Sequence, residues 1–170
     1  STVLLSLLNP STSNYTYYQY IYLATSNLTL LSFAFRHDSA YWCLDDTFVR
    51  LNNSSTNLLI NGGFEMGELN GYTICNFNSS PPSGGIVRNQ CARNSTYAFS
   101  DGSYLISDYL WQTFTTVQQQ QYQTGFWLRN FGSTGNSFKA TIGPYTISNV
   151  LIAAGATSTR ASSTTTTRRP

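Results

Sequence analysis

Charge is scarce in this chain. Acidic and basic residues make up 9% of its 170 positions and the formal net charge is +2, whereas about a quarter of an average domain is charged. Lysine, methionine and histidine each occur once. With so few straight-chain helix formers, a charged, helix-rich enzyme is excluded. Three of the nine basic residues, Arg160, Arg168 and Arg169, lie near the C-terminal end, leaving six bases against seven acids before them. No basic patch for nucleic acid can be assembled from that balance. Long apolar runs are missing too. Residues 150–156 are apolar but reach only about a third of a membrane-spanning helix, so no membrane segment is expected.

Cysteine is nearly absent, with three residues. Cys75 and Cys91 flank a segment rich in Asn, Ser, Pro and Gly, and the expected disulfide joins these two. Cys43, inside an apolar run, is then either a buried thiol or the donor of an intermolecular bridge.

Hydroxyls and aromatic rings fill the space that charge leaves. Serine and threonine number 22 each, aromatics reach 15% and hydrophobic residues 41%, enough to build a core. Wherever the chain is periodic, the period is two. Tyr18, Tyr20 and Tyr22 share one face and Tyr17, Ile21 and Leu23 the other. Leu31, Phe33 and Phe35 line one side of a strand, as do Leu110, Gln112 and Phe114, then Phe126 and Leu128, then Phe138, Ala140 and Ile142. Turn residues punctuate these runs at 61–63, 81–85 and 132–135. The fold class is all-β, a jelly-roll-like β-sandwich of two antiparallel sheets. Residues 150–170 form a low-complexity, Thr-rich tail in which Thr164, Thr165, Thr166 and Thr167 are candidates for O-glycosylation. Asn14, Asn27, Asn52, Asn53, Asn78 and Asn94 each head an N-x-[ST] triplet. This makes them candidate N-glycan acceptors in a secreted, extracellular glycoprotein.

Two stretches resemble secreted jelly-roll domains of the carbohydrate-binding-module type. Residues 57–67, NLLINGGFEMG, followed by Gly71 and Tyr72, are similar to the segment that makes the first strand of such domains. Residues 32–46, SFAFRHDSAYWCLDD, resemble their closing strands, which end in an LDD motif. The order is permuted, with the closing half (1–51) first, a connector (52–56), then the opening half (57–149). Three arrangements follow. The halves pair within one chain; each pairs with the complementary half of a neighbouring copy; or the chain is an excerpt of a tandem array. The second arrangement would build a head-to-tail filament by strand complementation, and the expected main role is that of a structural protein whose partners are copies of itself.

The resemblance also implies a structural calcium ion held by Asp45, Asp46, Glu65 and the Gly63 carbonyl. It implies a second role as well, the binding of polysaccharide, with Tyr109 and Trp111 as the rings best placed to stack on a sugar, beside Asp108 and Gln112. Tyr18, Tyr20, Tyr22, Tyr41, Trp42 and Trp127 are further candidates, each with core or cross-strand packing as the competing explanation. His37 beside Asp38 suggests half of an acid–base pair. No nucleophile motif accompanies it, so the expectation is a structural pair and no catalysis.

Overall fold

The alternation in the sequence becomes strands in a computed structural model that describes residues 1–76 and 85–146. Ten strands are present among these residues: β1 (Thr2–Leu8), β2 (Thr16–Leu23), β3 (Leu28–His37), β4 (Trp42–Leu51), β5 (Thr73–Cys75), β6 (Ile86–Arg88), β7 (Ala98–Asp101), β8 (Asp108–Thr115), β9 (Gln121–Asn130) and β10 (Asn136–Pro144). A single turn of 3-10 helix spans Asn89–Cys91. Asn78 and the threonines 164–167 lie outside the described residues.

The strands form two five-stranded sheets, ordered β1-β10-β3-β8-β5 and β2-β9-β4-β7-β6. All neighbours are antiparallel. Setting aside the three-residue strands β5 and β6, the order 1-10-3-8 packed over 2-9-4-7 is that of a jelly roll. The inner faces carry the alternate residues that the sequence singles out. Phe33 of the first sheet meets Phe126 of the second edge-on, with ring centroids 5.3 Å apart, and Phe35 touches both Phe138 and Phe99 at 5.3 Å. Leu31, Leu110, Ala140 and Ile142 are fully buried around them. On β2, Tyr22 is buried while Tyr17, Ile21 and Leu23 face outward.

Residues 1–51 and 57–144 share both sheets. β3 lies between β10 and β8, and β4 lies between β9 and β7. The connector accomplishes this locally by turning the chain back on β4. On β4, β7 pairs with Trp42–Leu44 alone, and the rest of that edge is covered by the returning chain. Leu58 N–H donates to the Val49 carbonyl and Thr47 N–H to that of Gly62. Asn57 imitates a strand there, its Oδ1 accepting from Val49 N–H at 3.0 Å and its Nδ2 donating to the Thr47 carbonyl at 2.9 Å. Thus one chain completes one sandwich, and neither half is left with an open core.

Two expectations need correction. The NGGFE segment is not a strand, because Asn61, Phe64, Gly67 and Gly71 all have positive φ and the segment winds through consecutive turns. It plugs the sandwich instead, burying Leu59 and Phe64, with Phe64 stacked on Tyr72 at 5.2 Å. Gly62 is obligatory there, since a Cβ would lie 2.1 Å from the Thr47 carbonyl oxygen. The disulfide joins Cys43 to Cys91, not Cys75 to Cys91; the Cα atoms of the bonded pair are 5.7 Å apart. The reason is topological. Cys75 sits on β5 in the first sheet opposite Tyr109, while Cys91 follows β6 onto the outer side of the second sheet and meets Cys43 of β4 in a small buried cluster with Ala98. Cys75 keeps a free thiol.

Candidate functional site

The outward face of the first sheet carries a groove of about 530 Å³, within the usual ligand-site range of about 300–1,000 Å³. Its floor is low where β3 and β10 present small side chains outward, Ser32 and Ala34 from β3 and Ser137 and Thr141 from β10, with Lys139 rising between the last two. β1, whose register slips between Val3 and Leu5, forms one wall. Tyr109 forms part of the other.

The residues align in cross-strand rows. One row reads Ser6, Lys139, Ala34, Tyr109, Cys75; the next reads Val3, Thr141, Ser32, Trp111, Thr73. Tyr109 and Trp111 are therefore consecutive outward residues of β8, about 7 Å apart along the strand. Beside them runs a trough lined with hydroxyls. Burial, and secondarily Cys75, pushes the Tyr109 phenol up from its ordinary value, so it remains a neutral hydrogen-bond donor. Of the residues the sequence singles out for sugar stacking, these two alone share the groove face.

No family model, curated protein or solved structure matches this chain. The site must therefore be read from its own chemistry.

The other aromatic candidates are engaged in packing. Trp42 is buried and donates its indole N–H to the Arg36 carbonyl at 2.9 Å. Tyr18 and Tyr20 pack on Phe126. Tyr41 lies 4.4 Å from Phe131. Trp127 is covered by the Arg93 guanidinium at 4.0 Å and by Tyr17 at 5.1 Å.

Asp45, Asp46, Gly63 and Glu65 do meet, where a bulge in β4 abuts the NGGFE turns. A Cβ on Gly63 would lie 3.6 Å from Asp46 Oδ1 and 3.8 Å from Glu65 Cγ. Burial, with the charges of Asp46 and Glu65 adding to it, raises the Asp45 carboxyl to about 6. Yet each carboxylate is directed at protein donors. Asp45 accepts from Asp46 N–H at 2.7 Å and from Arg93 N–H at 2.9 Å. The Arg93 side chain grips Asp46 at 2.8 and 3.1 Å. Glu65 accepts from Thr96 N–H and Tyr97 N–H at 3.1 and 2.9 Å. Among the described residues no three His, Cys, Asp or Glu side chains converge as a metal would require. The residues as placed do not fit calcium, and Arg93 supplies the positive charge at this junction.

His37 is buried and both its ring nitrogens are used. Nδ1 accepts from Ala40 N–H at 3.0 Å, which leaves Nε2 to donate to Asn130 Oδ1 at 3.1 Å. Burial lowers its pKa despite that bond and the nearby Asp38. Asp38 itself is forked by Arg36 at 2.6 and 2.9 Å. The pair does not face one reacting point. Of the glycan acceptors, Asn14, Asn27, Asn53 and Asn94 are exposed and Asn52 is half-buried.

Sequence reasoning passed over Lys139, Ser32 and Ala34. The signal was present, because Lys139 interrupts the apolar alternation Phe138, Ala140, Ile142 and so must face outward. Only the register, however, places it opposite Tyr109.

Proposed function

We propose that this chain is an extracellular glycan-binding β-sandwich that takes a segment of polysaccharide in the groove of its first sheet. The observation that carries this reading is Tyr109 standing over a shallow floor of Ser32, Ala34 and Thr141, with Trp111 next along the same strand. An aromatic face offers an apolar platform to the C–H side of a pyranose, and the surrounding hydroxyls meet the sugar's own hydroxyls, the mix of apolar lining and few polar groups expected of a small-ligand site. A groove open to solvent suits an internal stretch of a polymer better than a buried small molecule. We read the groove as a binding site, its lining being hydroxyls and apolar groups with one lysine ammonium.

The extracellular setting rests on the Cys43–Cys91 bridge, which belongs to an oxidising compartment, and on the exposed glycan acceptors. Among the described residues no helix is long and apolar enough to cross a membrane.

A glycan array probed with the wild-type chain and with Tyr109→Ala and Trp111→Ala tests the reading. Retention of one polysaccharide class by the wild type, weakened in Tyr109→Ala, supports it. Retention of none, or equal retention by both variants, overturns it.

A further inference from the structure

Lys139, the single lysine of the chain, occupies the middle of the groove floor. It stands on β10 between Ser6 of β1 and Ala34 of β3, in the same cross-strand row as Tyr109. Two strand spacings separate it from Tyr109, about 10 Å, with only the methyl group of Ala34 rising between them. A sugar laid over Ala34 would touch Tyr109 on one side and the ammonium group on the other. Among the described residues no acidic side chain lines the groove. Arg36, a second cationic side chain on this face, is held by Asp38 at 2.6 Å. Lys139 is exposed and thus sits uncompensated in a cleft otherwise made of hydroxyls and apolar groups.

From this arrangement we infer that the groove selects acidic saccharides, carrying carboxylate or sulfate groups, over neutral ones, with Lys139 as the residue that sets the preference. The inference rests on the groove being the glycan site. A strongly hydrated ammonium on a flexible stem can reach either anion as a point charge, and a cation flanked by low walls is less screened than one on a flat surface. The preference must therefore weaken as salt rises.

The test uses the full chain and polymers matched in backbone but not in charge: polygalacturonate against its methyl ester, and carrageenan against its desulfated form. In affinity electrophoresis the wild type is expected to bind at least one acidic member about tenfold tighter than its neutral counterpart. The gap should shrink between about 50 and about 500 mM salt. Lys139→Gln should abolish the preference, bringing the ratio of acidic to neutral affinity to about one, and Lys139→Arg should keep it. Equal affinity within every pair, or a preference that survives in Lys139→Gln, overturns the inference. If the neutral member alone binds, and binding is lost in Tyr109→Ala, the glycan groove stands and the acidic preference falls. If no member of any pair binds, both fall.

Discussion

The side-chain amide of Gln112 holds both backbone groups of Ile60, its Oε1 accepting from the N–H at 2.6 Å and its Nε2 donating to the carbonyl at 3.0 Å. Gln112 is buried on the inner face of β8, so this pair is what anchors the NGGFE turns to the first sheet from inside. Gly71, at φ +84°, passes so close that a Cβ would lie 2.7 Å from Ile60. Gln112→Leu keeps the volume but leaves both Ile60 groups without a partner, at about 1–3 kcal/mol each. The substitution should therefore lower unfolding free energy by about 2–6 kcal/mol in urea titration. A loss below about 0.5 kcal/mol would show that the turns are held by other contacts.

The Cys43–Cys91 bridge closes a 48-residue separation, worth about 4 kcal/mol in the chain-entropy model. Peptide mapping under non-reducing conditions should recover Cys43 linked to Cys91 and Cys75 alkylated. The double variant Cys43→Ala, Cys91→Ala should lose about 2–4 kcal/mol, while Cys75→Ser should stay within about 1 kcal/mol of wild type. A peptide linking Cys75 to Cys91 would contradict the structure outright.

Stability should fall with rising pH above neutrality. Burial, reinforced by the charge of Asp108, raises the Asp101 carboxyl from 3.8 to about 8. An acid that holds its proton more tightly when folded stabilises the fold fully below the unfolded value, and that contribution is lost as pH climbs toward the folded one. His37 acts in the opposite sense, since its lowered pKa costs stability as pH drops through 6.5. The stretch above that value isolates Asp101. The wild type should lose roughly 1–2 kcal/mol between about pH 6.5 and 8.5. Asp101→Asn keeps the acceptor for Ser103 N–H, 3.2 Å away, and should flatten the slope. Parallel profiles for the two proteins would assign the pH dependence to another group.

Light scattering addresses whether halves exchange between copies. Because β4 receives both β9 and the returning segment 57–62 from its own chain, the chain should behave as a monomer at micromolar concentration. Species that grow with concentration, and are trapped by cross-links between residues 1–51 of one copy and 57–144 of another, would show head-to-tail assembly instead.

Much of the fold was legible because period-two alternation is a direct consequence of the pleat. Leu31-Phe33-Phe35 and Phe138-Ala140-Ile142 could face only one way once a strand was granted. What could not be read was partner choice. Cys91 finds Cys43 because β6 and β4 share a sheet, a fact of topology rather than of spacing. Arg93 pairs with Asp46 because a loop distant in sequence brings it there. The NGGFE segment turns rather than extends because Asn61 and Phe64 adopt left-handed φ, which nothing in its apolar pattern reveals. The groove follows the same logic: Tyr109 was visible as an outward aromatic, but its row-mates Ala34 and Lys139 come from two other strands.

Isothermal titration of the best-retained oligosaccharide into wild type and Tyr109→Ala, with the melting temperature of both recorded, bears most directly on the groove. The expected result is a loss of about tenfold or more in affinity with melting temperatures within about 4 °C of each other. Equal affinity in the two proteins would contradict the assignment of the groove as the glycan site.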